Sequence, residues 1–327
     1  MAKTDDWRWC CLARRVQHCE PKDQFSSCED LMSNLVLRVC IIVLGVVALV
    51  GNAFVIALRC LNKTENKKYY AFVIALRCLN KTENKFLRQP HSILIINMAA
   101  GDLLMSVYLL MIAGVDLHYR GVYAAYEEQW RTSASCQLAG FISTLSTESS
   151  VISLTIITVD RLLVIKFPFG DRRLDMRVTR AMMVGMWVVV TFLAALPLAN
   201  IAYFDNFYGR SGVCLALHIT SDKPNGWEYS VLIFIVINLL SFAVIAVSYV
   251  IMYSVARKTH REARINDTRI CQRRYTSAKS GGTTHDSATM GRRMTLIVAT
   301  DAACWLPIIA LGIASLCGVH IPDQLHT

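Results

Sequence analysis

Long apolar stretches alternate with polar segments along this chain of 327 residues. Six of the stretches are long enough to cross a bilayer, because a membrane-spanning helix needs about 20 mostly apolar residues. They lie at about 35–58, 92–115, 136–165, 181–201, 229–253 and 294–316. The pattern predicts an all-α, multi-pass transmembrane helix bundle, with one membrane domain at 34–320.

The third stretch organises the rest of the prediction. On an unbroken helix, Cys136 and Arg161 would lie roughly 37 Å apart. This is slightly more than the hydrocarbon thickness of a bilayer, so we expect one residue at each membrane interface. Arg161 follows Asp160, and the two side chains can form an ion pair at their interface; a simple interface anchor is the alternative.

The chain repeats residues 53–67 letter for letter at 71–85. Placing the second copy in the first span would bring Lys63, Lys67 and Lys68 into the bilayer, at about 2.5–3.5 kcal/mol for each central charge. We therefore expect the first copy to end the span and 68–85 to be a duplicated insertion in the following loop. Arg38, near the other end of this span, is expected to snorkel to the interface.

The charged residues indicate both the class of protein and its orientation in the membrane. Only 18% of the residues are charged, against about 25% in soluble domains, so the composition is that of a membrane protein. The net charge of +10 is concentrated on one side: loops 59–91, 166–180 and 254–293 hold 23 Lys and Arg, and the loops on the other side hold 4. The positive-inside rule places the N-terminus outside and a basic third inner loop, 254–293, in the cytoplasm. This distribution argues against a nucleic-acid partner.

Cys136 and Cys214 fall on the same, outer side of the membrane. A disulfide between them would pin the second outer loop to the end of the third helix, and two free cysteines are the alternative. Twelve cysteines do not show metal-site spacing.

Several polar residues lie within the spans. Asp102 and Ser150 are expected on neighbouring helices, where the carboxyl group needs a cation, a proton or hydrogen-bond donors. Sodium with oxygen ligands is one solution and a protonated, hydrogen-bonded carboxyl is the other. Glu148 and Asp301 are further acids without a Lys or Arg at matching depth, so we expect some of these acids to be protonated or hydrogen-bonded. Pro307, close to Trp305, predicts a kink and hinge in the sixth span.

Together these residues resemble the rhodopsin-like G-protein-coupled receptors. The elements that match are Gly51-Asn52, Asp102, Cys136, Asp160-Arg161 with Pro168, Trp187, Pro197, Cys214, Tyr249 and Cys304-Trp305-Leu306-Pro307. The resemblance implies an activation switch made of Asp160, Arg161, Tyr249, Trp305 and Pro307. It also implies an intramembrane polar hub, with sodium as the only cofactor to consider, made of Asn52, Asp102, Ser150 and Asp301.

A narrower resemblance is to the leucine-rich-repeat receptors for glycoprotein and relaxin-like hormones, and within them to the relaxin type. It is carried by SSCEDLMSNLVLRV at 26–39, by Ser146-Thr147-Glu148 and by Thr300-Asp301. It implies that 1–33 is a remnant of an extracellular hinge and that Cys28, Glu29 and Asp30 act as a relay or tethered agonist. The sequence departs from the pattern in four ways: Leu162 follows Asp160-Arg161 where tyrosine is commoner, the fifth helix has Ser241 near the position of the usual proline, and neither the ectodomain nor the seventh helix is expected in this chain. We expect 321–327 to be the truncated loop before such a helix.

The expected function is that of a receptor in the plasma membrane, with an extracellular peptide or protein hormone, a heterotrimeric G protein and membrane lipids as partners. Two alternatives remain: a non-signalling, truncated receptor fragment and a transporter. No nucleophile elbow, P-loop or His-Glu-x-x-His motif is present, so we do not expect an enzyme.

Overall fold

The computed structural model describes residues 26, 29–61, 90–167, 174–199, 201–216 and 225–271, and these residues form helices, turns and loops without a strand. The helices are α1 (Leu35–Leu61), α2 (Pro90–His118), α3 (Tyr123–Arg131), α4 (Ala134–Lys166), α5 (Met176–Ala195), α6 (Trp227–Ser230) and α7 (Asn238–Cys271). A π-helical segment, Val231–Ile237, joins α6 to α7 without a break. Among the described residues, four stretches are long and apolar enough to cross a membrane: Leu35–Arg59, Ser92–His118, Met176–Leu198 and Trp227–Val255.

Helix α4 forms the centre of the described bundle. It packs against α2, α5 and α7, while α1 packs against α2. Ser133 caps the start of α4, since its hydroxyl accepts a hydrogen bond from Cys136 N at 3.1 Å. Four serines on α4 are almost completely buried at the helix contacts: Ser143, Ser146, Ser149 and Ser153. Small side chains of this kind let helices approach closely within a membrane, and their hydroxyls can hydrogen-bond across the contact.

Helices α2 and α4 approach each other closely at Gly101. A Cβ atom at this position would lie 2.7 Å from Ser150 Oγ and 2.8 Å from Ser149 Oγ, so a larger residue would push the helices apart. Ser146 Oγ donates to the Gly101 carbonyl at 2.8 Å across the same contact. The serine hydroxyls of α4 therefore form a close, polar helix–helix contact with α2.

The structure corrects two sequence predictions about the helices and adds one feature that was not predicted. Helix α7 continues to Cys271, so the prediction of a loop over 254–293 is wrong for its first part. Helix α5 ends at Ala195, and Pro197 lies in a short 3₁₀ turn, Leu196–Leu198, because proline cannot donate the backbone hydrogen bond that would continue the helix. The fifth span contains a π-helical segment although it has no proline.

The first copy of the repeat belongs to α1 as far as Leu61, as predicted. The second copy with the insertion 68–85 lies outside the described residues, and so does the sixth span at 294–316.

Candidate functional site

A disulfide joins Cys136, at the start of α4, to Cys214 in the segment after α5, with a Cα–Cα distance of 5.5 Å. Both cysteines are fully buried. We call this end of the bundle the disulfide end, and the opposite end of α4, where Asp160 and Arg161 lie, the Asp160 end. The bridge holds the 201–216 segment against the disulfide end, as the sequence predicted.

Side chains from α2 and α3 hold the same segment through its backbone carbonyls. Trp130 Nε1 donates to Gly212 O at 2.7 Å, and Tyr108 Oη donates to Val213 O at 2.8 Å. Arg131 donates to Gly209 O at 2.7 Å through Nε. These bonds satisfy the carbonyls of an irregular segment and fix its backbone over the bundle.

An ion network attaches the 29–34 segment to the same end. Arg38 Nε lies 2.6 Å from Asp116 Oδ2, and Arg38 Nη2 lies 2.7 Å from Asp30 Oδ2. Asp116 also accepts from Met32 N at 2.8 Å, and Asp30 accepts from Gly121 N at 3.0 Å. The Arg38 side chain, which the sequence predicts to reach the interface, is 10% exposed and is paired with two carboxylates at this end of the bundle.

The charge of Asp30 is favoured by this environment. Partial burial would raise the pKa of Asp30, but hydrogen bonds from Arg38 and Gly121 N, with the charges of Arg38 and Arg120, lower the pKa below its usual value. Leu31 and Met32 beside it are buried in an apolar cluster with Tyr108, Ile112 and Tyr123. The segment is thus docked by charge and by apolar contacts together. Of the predicted relay residues, Glu29 contributes its backbone carbonyl, which accepts from Tyr123 N at 3.2 Å, and Cys28 lies outside the described residues.

At the Asp160 end, Arg161 Nη2 lies 2.8 Å from Asp160 Oδ2, and the side chains are 15% and 6% exposed. The predicted pairing of these neighbours is therefore present. Tyr249, a predicted member of the same switch, packs at the edge of an apolar cluster of Leu154, Phe242 and Ile245. The other predicted members, Trp305 and Pro307, lie outside the described residues.

Within the bundle, Ser150 Oγ donates to Asp102 Oδ1 at 2.9 Å, which joins α2 to α4. Asn52 does not join them through a described hydrogen bond: its amide donates to Ala48 O, one turn earlier in α1. Asn97 accepts from Trp187 Nε1 at 2.7 Å and so links α2 to α5. Asp301, the remaining predicted member of the hub, is not among the described residues. No group of three His, Cys, Asp or Glu side chains able to hold a metal ion occurs in the described part of the chain.

Sequence reasoning missed two contacts of the described bundle. One is the Arg38 network, which depends on the fold of the segment before α1. The other joins Glu148 to Asn238, whose Nδ2 donates to Glu148 Oε1 at 3.2 Å and to Ile233 O at 3.3 Å. Glu148 is an acid within a span, which indicates that it needs a polar partner. The sequence does not identify that partner, because Asn238 lies 90 residues away.

The described residues thus form a polytopic helix bundle with a bridged loop at one end of its central helix and a largely buried Asp-Arg pair at the other. The family described as 7 transmembrane receptor (rhodopsin family) matches residues 71–325, and the chain belongs to this family. The match begins at the second copy of the repeat. The resemblance to rhodopsin-like receptors is thereby confirmed.

Relatives place the chain within the family. It is 50% identical over 325 residues to the G-protein coupled receptor GRL101 of Lymnaea stagnalis, covering 99% of this chain and 26% of that protein. It is 34% identical over 322 residues to relaxin receptor 2 of Homo sapiens, covering 98% and 38%. It is 30% identical over 300 residues to the thyrotropin receptor of Felis catus, covering 91% and 33%. The narrower resemblance to relaxin and glycoprotein-hormone receptors is therefore confirmed, and the chain spans about a quarter to two-fifths of the length of these relatives.

The fold is similar to that of squid rhodopsin. The TM-score is 0.59 at 15% identity, and the similarity covers 86% of this chain and 71% of the other. The chain is thus a membrane protein of a receptor family, with a helix bundle of the rhodopsin type.

Proposed function

We propose that this chain carries the transmembrane domain of a receptor that transmits the signal of an extracellular peptide or protein hormone to a heterotrimeric G protein. The observation that carries the proposal is α4, which bears the bridged loop 201–216 at one end and the Asp160–Arg161 pair at the other. A helix packed on three neighbours can couple the two ends, since a ligand that favours one packing of the bundle shifts the equilibrium toward it. The names of the relatives, relaxin and thyrotropin receptors, support a hormone of the peptide or protein class.

For orientation, we propose that the disulfide end faces the outside of the cell and the Asp160 end faces the cytoplasm of the plasma membrane. The excess of Lys and Arg in the loops at the Asp160 end supports this orientation. A disulfide is also expected on the oxidising side of the membrane. The apolar residues exposed on α1, such as Val43, Val47 and Val50, would face the acyl chains of lipids.

We further propose that Asp102 and Ser150 can hold a sodium ion. Their carboxylate and hydroxyl oxygens are the ligand type that hard cations prefer, and their hydrogen bond shows that both reach one point between α2 and α4. Such an ion would supply a positive charge to a carboxylate inside the membrane.

The experiment that tests the function is guanine-nucleotide exchange. The full chain, coexpressed in turn with each class of G-protein α subunit, should raise exchange above that of membranes lacking the chain for at least one class. Antibody tags in the 119–122 turn and after residue 271 should be accessible from outside and from inside the cell, respectively. Exchange at background level with every class, in cells where the chain is present at the surface, would refute the proposal.

The proposed relay gives a second prediction. Asp30→Ala should lower basal exchange, because it removes the carboxylate that joins Arg38 to Gly121 N and so loosens the docked segment. Glu29→Ala is the matched control: its side chain is exposed, and its backbone carbonyl, which bonds Tyr123 N, is retained. Equal exchange in the two variants, at equal surface expression, would count against a relay role for Asp30.

A further inference from the structure

Two completely buried polar side chains face each other between α4 and the fifth span. Glu148 and Asn238 are both 0% exposed. One hydrogen bond joins them, from Asn238 Nδ2 to Glu148 Oε1 at 3.2 Å. The other oxygen of each group, Glu148 Oε2 and Asn238 Oδ1, has no hydrogen-bond partner in the described structure. Buried oxygens of this kind are normally satisfied, so the two orphan atoms require an explanation.

The orientation of the Asn238 amide follows from its surroundings. Nδ2 lies between two acceptors, Glu148 Oε1 and the Ile233 carbonyl at 3.3 Å. An inverted amide would place Oδ1 against the Ile233 carbonyl, which has no hydrogen to donate. Oδ1 is therefore the acceptor that remains open, next to a carboxyl group whose Oε2 is open as well.

Among the residues that the structure describes, no salt bridge supplies a counter-charge to an ionised Glu148. The salt bridges among the described residues involve Arg38, Arg131 and Arg161, and none of them includes Glu148. The span 294–316 contains no Lys, Arg or His that could supply one.

The titratable and charged groups named below, on the neighbouring elements, are bonded to other partners or exposed. Tyr229, close enough to interact electrostatically with Glu148, donates its hydroxyl to Leu193 O at 2.5 Å. On α2, Asp102 accepts from Ser150. On α5, the nearest charged side chains, Arg177 and Arg180, lie in the first turns at the Asp160 end and are exposed. An unpaired carboxylate in this position would be strongly unfavourable.

We propose that Glu148 is a proton-binding site and that its neutral carboxyl group forms a two-bond ring with the Asn238 amide. The proton resides on Oε2, and this O–H donates to Asn238 Oδ1, while Asn238 Nδ2 donates to Oε1. A single proton thus satisfies both orphan oxygens and removes the charge.

The ring has a structural consequence at the π-helical segment. Asn238 is the first residue of α7, directly after Val231–Ile237, and its amide also binds the Ile233 carbonyl within that segment. The ring therefore links the π-helical segment to α4 through the Asn238 side chain.

Infrared spectroscopy of the purified full chain in lipid nanodiscs tests the proposal without a hormone or a G protein. The unchanged chain should show the carbonyl stretching band of a protonated carboxylic acid, and Glu148→Gln should lose that contribution. Asn238→Leu should retain the band but shift it to higher frequency, because the O–H loses its acceptor. Glu127→Gln, which removes a carboxylate ion-paired with Arg131 at 2.9 Å, is the control and should leave the band unchanged.

Thermal unfolding gives a second readout. Glu148→Gln should keep the unfolding midpoint, since a glutamine amide can donate to Oδ1 and accept from Nδ2 without a proton, whereas Glu148→Leu should lower the midpoint. A protonated-acid band that is the same in Glu148→Gln would show that Glu148 is ionised and overturn the proposal. A band that does not shift in Asn238→Leu would show that the acid donates to another group, such as water, and overturn the ring. Because these measurements are independent of nucleotide exchange, they can fail or succeed separately from the proposed function.

Discussion

Replacing Arg161 with alanine is expected to reduce G-protein nucleotide exchange to background while leaving the chain at the cell surface. Arg161 is held at the Asp160 end by its neighbour, at 2.8 Å, and both side chains are largely buried. In the proposed mechanism the activated packing releases the guanidinium from Asp160 so that it can meet the G protein. Loss of this contact should lower the exchange rate by about 5- to 150-fold, which corresponds to the usual coupling free energy of about 1–3 kcal/mol.

The same mechanism predicts the opposite effect for Asp160→Asn. This variant keeps the shape of the side chain but removes the charge that holds Arg161, so basal exchange should rise. Arg180→Ala is a matched control, because Arg180 is an exposed arginine near the start of α5, at the same end of the bundle. Unchanged exchange in Arg161→Ala, or an equal loss in Arg180→Ala, would contradict the role given to Arg161.

The second large effect is expected at Arg38 and concerns stability. Arg38→Met leaves Asp116, whose side chain is 1% exposed, as a buried carboxylate without its cation. Breaking a buried ion pair from one side costs about 3–5 kcal/mol, so the free energy of unfolding should fall by this amount. Reversible unfolding of the full chain in mixed micelles is the measurement.

A double variant distinguishes the contribution of the ion pair to the free energy of unfolding from the destabilisation caused by one unpaired, buried charge. Arg38→Met with Asp116→Leu removes both charges and should recover much of the lost stability, because apolar groups can replace a buried pair at little cost. The recovery will be incomplete, since Met32 N loses its acceptor, at about 1 kcal/mol. If Arg38→Met costs less than about 1 kcal/mol, the value typical of an exposed pair, the network does not hold the segment in place.

The sequence indicates those features that depend on one segment or on adjacent residues. Hydropathy locates α1, α2 and α5, because a helix that crosses a bilayer needs an apolar run of about 20 residues. Asp160 and Arg161 are adjacent in the chain, so their pairing needs no knowledge of the fold. Cys136 and Cys214 were assigned to one side of the membrane by charge, and the structure shows the bond between them.

Features that depend on docking between distant segments could not be predicted in the same way. Arg38 near the end of a span suggests snorkelling, and only the folded 29–34 segment together with Asp116, 78 residues later, shows that it is paired. The π-helical segment also has no hydropathy signal, since an added residue in an apolar helix leaves the composition unchanged. The continuation of α7 to Cys271 is likewise hidden, because a helix that leaves the bilayer loses its apolar pattern but not its geometry.

The Cys136–Cys214 bond also constrains how the protein is made. It closes a covalent ring between residues 78 positions apart, and this ring contains nearly all of α4 and the whole of α5. During biosynthesis the two sulfur atoms can meet only after both helices have been inserted as a hairpin and the following segment has returned to the starting side of the membrane. If α5 fails to insert, the two thiols stay on opposite sides of the membrane. Formation of this disulfide therefore indicates that α4 and α5 have both been inserted with the correct topology.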